Sequence, residues 1–346
     1  MIAFYITAHG YGHAARSLEV IEALQQHHAV TIVSEVPQAF FRRRLGESLK
    51  FRPKAFDLGL IQLDSVRGDV SATLAGYQQL MPQSDELILE ELAFFRDHDV
   101  KMVLVDAPAL PLGAARRHAI PGLALTSFGW DYIYEPFARS AAGWSEVCTW
   151  FRHYYSQATH LLRYPFAAPI ESIGSQEQVP LVSSAGRERR AEIAGLTGAH
   201  LDRPWVLVWF HQLDVEPAHL EKLPFEFFTV GSLRWPCCNC HQVGIEFLDL
   251  LASCDVVLSK PGFGILSDCL ANDKPLVYVP RMDFREALLL EEAIRRYLRQ
   301  ARISQQDLYA GRWQEAILAA LRVPRPGESL PVAGAGQIAQ RILSFL

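Results

Sequence analysis

Twice in this chain a short, almost wholly apolar run ends in a pair of glycines and passes straight into a helix-like pattern. The first is "FYITAHGYGHAAR" at residues 4–16 and the second is "VVLSKPGFGILSDCLA" at residues 256–271. An unbroken apolar run suits a strand of a parallel sheet covered on both faces. Glycines at its end let another group approach the backbone where the helix begins. Strand, tight turn and helix in that order make half of a βαβ unit, so a chain that uses it near both ends is expected to be α/β.

The alternation continues between the two segments. After the strand at residues 2–7, a helix is expected over residues 14–25, where Leu18, Ile21 and Leu24 recur at helical spacing and Arg16, Glu19 and Glu22 fall elsewhere. Further strands are expected at residues 29–35 and at the runs ending in Asp106 and Phe128, with "LGAARRHA" as a helix between the last two. Residues 165–196 mix proline, glycine and serine with the charged "GRERR" and are the expected linker. "PWVLVWF", "FEFFTVG", "DVVLS" and "PLVYVP" then restart the pattern. With 346 residues the chain exceeds what one core usually supports. The expectation is therefore two Rossmann-like, doubly wound parallel-sheet domains facing a cleft, at residues 1–180 and 181–335. A C-terminal helix at 336–346 is expected to pack back on the first domain through Ile338, Ile342 and Leu343.

Composition removes several functions. A net charge of −5 argues against nucleic acid as a partner, which needs clustered cations. No apolar run reaches the length of a membrane span, and "MIAFYIT" lacks a basic leader, so a cytoplasmic location is expected. "AFFRRRLGESLKF" mixes aromatic and basic residues; either one buried face or a peripheral membrane contact explains it. The six cysteines, three of them in "WPCCNCH", are expected as thiols rather than as metal ligands, because no second cluster completes a metal site.

Gly10, Gly12 and Ala15 fit the loose dinucleotide pattern G-x-G-x-x-G/A, and Glu35 ends the second strand, so a nicotinamide enzyme is one reading. His13 inside that loop points elsewhere, because an imidazole at a helix start can serve as a base. Asp106 or Asp131 could orient it. In the second loop, Gly262, Gly264 and Ser267 offer backbone and hydroxyl groups to a phosphate, and the Asp268 carboxylate could hold a ribose diol. "SFGWDYIY" places Ser127, Trp130, Asp131 and Tyr134 after a strand end, where an aromatic ring and a carboxylate suit a sugar.

These segments, with "FDLGLIQLDS" and "MDFRE", resemble the glycosyltransferase-like region of plant L-arabinokinases, and more distantly the GT-B transferase that adds N-acetylglucosamine to lipid-linked muramyl peptide. The resemblance implies an inverting, metal-independent transfer from a nucleotide-diphosphate sugar, UDP-sugar first, with no cofactor. The hydroxyl acceptor would be a small molecule, a lipid-linked group or a glycan. It implies that Gly262, Gly264, Ser267 and Asp268 hold the nucleotide, that Asp283 and Glu286 meet the donor sugar, and that Gly10, Gly12, Arg16, Ser127, Trp130 and Tyr134 face the acceptor, with His13 as base. Three residues depart from the family pattern. His211 and Gln212 stand where many relatives have a glycine pair, and Asp268 stands for a glutamate. The departures leave open a non-catalytic sugar-nucleotide module, and the loop leaves open a hydrolase in which water replaces the acceptor.

Overall fold

The computed structural model describes residues 1–346 apart from Ser232 and Asp283. It divides into two compact units, the first made of Met1–Ile61, Asp69–Val182 and Ala333–Leu346, the second of Gln62–Gly68 and Ser183–Val332.

The strands of the first unit are β1 (Ile2–Ile6), β2 (Val30–Val33), β3 (Lys50–Arg52), β4 (Met102–Asp106), β5 (Gly122–Thr126), β6 (His160–Arg163) and β7 (Gln176–Gln178). They form one sheet in the order β3-β2-β1-β4-β5-β6-β7, every pair parallel. The inner strands β1, β2, β4 and β5 are buried along their whole length, as their apolar sequences require. The edges, β3 "KFR" and β7 "QEQ", are short and polar, which discourages pairing with another chain. The order reverses between β1 and β4, whose register pairs Ile6 with Asp106.

Helix α1 (Tyr11–Gln25) begins three residues before the expected start, with Gly10 as its N-cap at φ +83°. Ile338 and Ile342 of the C-terminal helix Ala335–Leu343 are fully buried in this unit, where that helix lies against α1. The basic segment forms the helix Gln38–Leu45 with Phe41 buried, and Arg44 of its last turn pairs with Glu19 and Glu22 of α1.

The second unit contains β8 (Trp205–Trp209), β9 (Glu226–Thr229), β10 (Cys240–Gln242), β11 (Val256–Ser259), β12 (Leu276–Tyr278) and β13 (Gln300–Arg302). These six are again all parallel, in the order β10-β9-β8-β11-β12-β13, with the reversal between β8 and β11. The fold class expected from the strand–turn–helix repeats is therefore the one observed. The span expected as a plain linker instead holds β7 and most of a helix, Arg190–Thr197.

Two features of this unit were not anticipated. Residues 62–68 belong to it: Val66 is buried in its core with Phe210 and Leu213, the Gln212 amide donates to Ser65 Oγ at 2.8 Å, and the Tyr309 hydroxyl donates to Asp64 at 3.1 Å. Cys237 and Cys240 form a disulfide, which corrects the expectation of thiols at those two positions. The short turn between them, closed by the Cys240 amide on the Cys237 carbonyl, brings the sulfurs together. Cys148, Cys254 and Cys269 remain buried thiols and Cys238 an exposed one. Among the described residues no cluster of His, Cys, Asp or Glu could hold a metal ion, and no helix is long and apolar enough to cross a membrane.

Candidate active site

In an open parallel sheet, ligands gather at the carboxyl ends of the strands where the strand order reverses. In the first unit that point lies between β1 and β4, and the chain places His13 and Asp106 there. His13 occupies the first turn of α1 and Asp106 is the last residue of β4. His13 Nδ1 lies 3.0 Å from Asp106 Oδ1. With the shared proton on Nδ1, the other ring nitrogen keeps its lone pair, which is the form a general base needs.

The aspartate is held from two further sides. Arg16 Nε donates to Asp106 Oδ2 at 2.8 Å and Ser17 Oγ donates to the same oxygen at 3.2 Å. Burial alone would raise the pKa of this carboxyl. The Arg16 guanidinium and His13 outweigh it and hold the group well below the usual carboxylate range. Asp106 is thus a fixed negative charge at neutral pH, suited to stabilise an imidazolium on His13.

Arg16 corrects its own expectation. It is only 4% exposed; its Nη1 donates to Ser127 Oγ at 2.9 Å and its Nη2 donates to Asp106 Oδ1 at 2.5 Å. Its guanidinium also stacks 5.1 Å over the Tyr164 ring. The side chain is committed to holding Asp106 and Ser127, so neither Arg16 nor the fully buried Ser127 presents itself to an acceptor. Helical spacing does not show this, because Arg16 falls off the Leu18, Ile21 and Leu24 face together with Glu19 and Glu22.

The aromatic residues after β5 form a wall beside the dyad. The Phe128 ring meets the His13 ring edge-on at 5.3 Å, Trp130 meets Phe128 at 4.9 Å, and His9 meets Trp130 at 5.2 Å. Trp130 and Tyr134 stack on each other and are fully buried, so they shape the site from behind. Asp131 does not orient His13. Its Oδ2 faces Arg152 Nε at 3.4 Å, while Oδ1 is buried without a hydrogen-bond partner among the described residues, and burial raises its pKa. Gly10 and Gly12 are exposed at the start of α1, and a Cβ added to either would touch nothing.

In the second unit the corresponding point lies between β8 and β11. Gly262 is the N-cap of the helix Phe263–Ala271 in extended backbone. The first turn of that helix offers backbone N–H groups with no partner further back in the helix, a setting that suits a phosphate. Ser267 does not add its hydroxyl, because it is fully buried and bonds back to the Phe263 carbonyl at 3.0 Å. Asp268 is half-buried and accepts the Ser183 hydroxyl at 2.6 Å. His211 and Gln212 follow β8 and are exposed. Glu286 is buried at the start of the helix Glu286–Tyr297. Asp283, expected on the donor sugar, lies outside the described residues.

No protein-family model matches the chain. A curated relative, L-arabinokinase of Arabidopsis thaliana, is 26% identical over 334 residues, covering 90% of this chain and 31% of its own length; the chain thus spans about a third of that relative. Among solved structures, the calicheamicin glycosyltransferase CalG4 aligns over 100% of this chain and 98% of its own with a TM-score of 0.63 at 15% identity. MurG of Acinetobacter baumannii aligns over 99% of both chains with a TM-score of 0.55 at 13% identity. The fold is that of these two-sheet proteins, and 90% of this chain is similar in sequence to part of the plant protein.

Proposed function

We propose that this chain, which has the GT-B fold and resembles the glycosyltransferase-like part of L-arabinokinase, is a glycosyltransferase that moves a sugar from a nucleotide-diphosphate donor to a hydroxyl acceptor. The observation that carries the reading is the His13–Asp106 pair at the strand-order reversal of the first unit. His13 takes the acceptor proton as the acceptor oxygen attacks the anomeric carbon. The bond from that carbon to the diphosphate oxygen breaks, and its electron pair leaves with the diphosphate. Attack from the face opposite the leaving group inverts the anomeric centre. Asp106 stabilises the imidazolium that forms, and the N-terminus of helix Phe263–Ala271 meets the diphosphate charge without a resident metal ion.

UDP-sugars are the first donors to test, by release of nucleoside diphosphate in the presence of a panel of hydroxyl acceptors and by the anomeric configuration of the product. His13→Ala should lower turnover about 10²–10⁴-fold, the usual worth of a positioned base. Asp106→Asn should lower it through the wrong tautomer, with donor binding retained.

One observation favours a second reading. The amide of Gln212 is already satisfied by Ser65 Oγ, and Asp268 by Ser183, so part of the donor side is bonded to the protein itself. With His211 and Gln212 exposed after β8, where the resemblance implies a glycine pair, the donor loop also departs from the transferase pattern, and a sugar-nucleotide-binding module without turnover is the reading that this departure favours. Calorimetric binding of UDP-sugar without diphosphate release across the acceptor panel would support it over transfer.

A further inference from the structure

A second carboxylate lies beside the dyad and the reaction as written does not use it. Asp57 is 5% exposed, follows β3 in the segment "FDLGL", and has no ion-pair partner among the described residues. Its two oxygens are taken by two different loops. Thr7 Oγ1, just past β1, donates to Oδ1 at 2.8 Å, and Trp130 Nε1, past β5, donates to Oδ2 at 2.7 Å. Each partner leads to a histidine. The Thr7 hydroxyl oxygen accepts the His9 amide at 3.2 Å, and the Trp130 ring carries the His9 ring directly and the His13 ring through Phe128. Gly59, two residues on, sits at φ +61°, and a Cβ there would lie 2.6 Å from His9 Nδ1. The 57–59 segment is shaped to admit the His9 ring.

An unpaired buried carboxylate is costly, and an asparagine would fill the same space without that cost. We propose that Asp57 is a positioning residue for the transfer: its carboxylate ties Thr7 to Trp130 and so holds the aromatic wall against which the rings of His9 and His13 are set. The proposal rests on the transferase reading for its kinetic consequence only. Burial raises Asp57 to about 6, although its hydrogen bonds from Thr7 and Trp130 and the nearby His13 draw it down. The other titratable groups around it are His9, Asp106, Tyr77, Tyr134 and Tyr155, with Arg16 beyond Asp106. The indole N–H of Trp130 therefore reports the Asp57 ionisation directly.

The test is a pH titration of the Trp130 indole ¹H–¹⁵N resonance in the ligand-free protein, assigned by its loss in Trp130→Phe. The resonance should move with a midpoint near pH 6 in the wild type and stay put through that range in Asp57→Asn. Thr7→Val removes one donor to the carboxylate and should move the midpoint upward, which keeps the test decisive if the asparagine variant does not fold. On the kinetic side, Asp57→Asn should lower kcat about tenfold or more with donor KM little changed, because a displaced base loses geometry rather than donor binding. A wild-type resonance that does not titrate, a titration that persists in Asp57→Asn, a midpoint unmoved by Thr7→Val, or an Asp57→Asn enzyme with wild-type kcat would each overturn the proposal. If no donor is turned over at all, the transferase reading fails while the titration still decides the role of Asp57.

Discussion

Asp106 and Asp57 are buried side by side in the first unit, yet their surroundings drive them in opposite directions. Asp106 is held below its ordinary 3.8 by Arg16 and His13, so its contribution to stability is present above that value and fades as pH falls below it. Asp106→Asn should cost about 3–5 kcal/mol at pH 7, because it leaves Arg16 buried without its anion. Urea unfolding at pH 7 and at about pH 2.5 would measure this, because only the lower value lies below the ordinary 3.8, and the paired change Arg16→Met with Asp106→Leu should recover most of the loss at pH 7. Asp57 is raised, so the folded state binds its proton more tightly and wild-type stability declines as pH rises from about 4 to about 6. Asp57→Asn lacks that decline and should gain on the wild type across the same interval, by an amount on the order of 3 kcal/mol from a shift of this size. His13, Asp106 and the aromatic residues after β5 could be singled out because each lies next to a glycine turn or a strand end, and Asp131, singled out on the same ground, faces Arg152 instead. Asp57 was not, since its partners stand 50 and 73 residues away and no spacing links them.

The turns that end strands and start helices separate glycines needed by the fold from glycines available to a ligand. At Gly59 the left-handed backbone and the His9 ring both exclude a side chain, so Gly59→Ala should destabilise by roughly 1–3 kcal/mol, read as a lowered melting temperature. At Gly262 the backbone is extended and an added Cβ would meet only the Ile265 side chain, at an ordinary 3.7 Å. Gly262→Ala should therefore melt like the wild type, and on the proposed donor site it should raise the donor KM about tenfold, because the added methyl group would stand where a diphosphate would meet the helix start. A glycine variant that melts normally and binds donor normally would move the nucleotide site away from this loop. Strands and helices were legible from their periods, but Ser267 was assigned by sequence position alone, and its hydroxyl turned out to close on its own helix. The Cys237–Cys240 bridge was missed for a similar reason: spacing shows that two cysteines can meet and leaves open whether they do.

Each unit is an open parallel sheet whose strand order reverses once, and in each the glycine loop follows a strand at that reversal. The parallel sheets were readable, since buried parallel strands announce themselves as apolar runs, whereas the place of the reversal comes from the strand order. That residues 62–68 belong to the second unit was not, because "QLDSVRG" carries no compositional mark and the partners of Asp64, Ser65 and Val66 there lie far along the chain. The first unit is completed by the last segment of the chain. Removing residues 335–346 would uncover α1 where Ile338 and Ile342 are buried, and the truncated protein should expose apolar surface to a hydrophobic dye and lose melting temperature. The proposed role of His13 is tested most directly by nucleoside diphosphate release from UDP-sugars with hydroxyl acceptors, wild type against His13→Ala, with UDP binding measured in both. The expected result is acceptor-dependent release that falls at least about a hundredfold in His13→Ala while UDP binds both proteins alike. Equal release from both proteins, or no UDP-sugar bound by either, would contradict it.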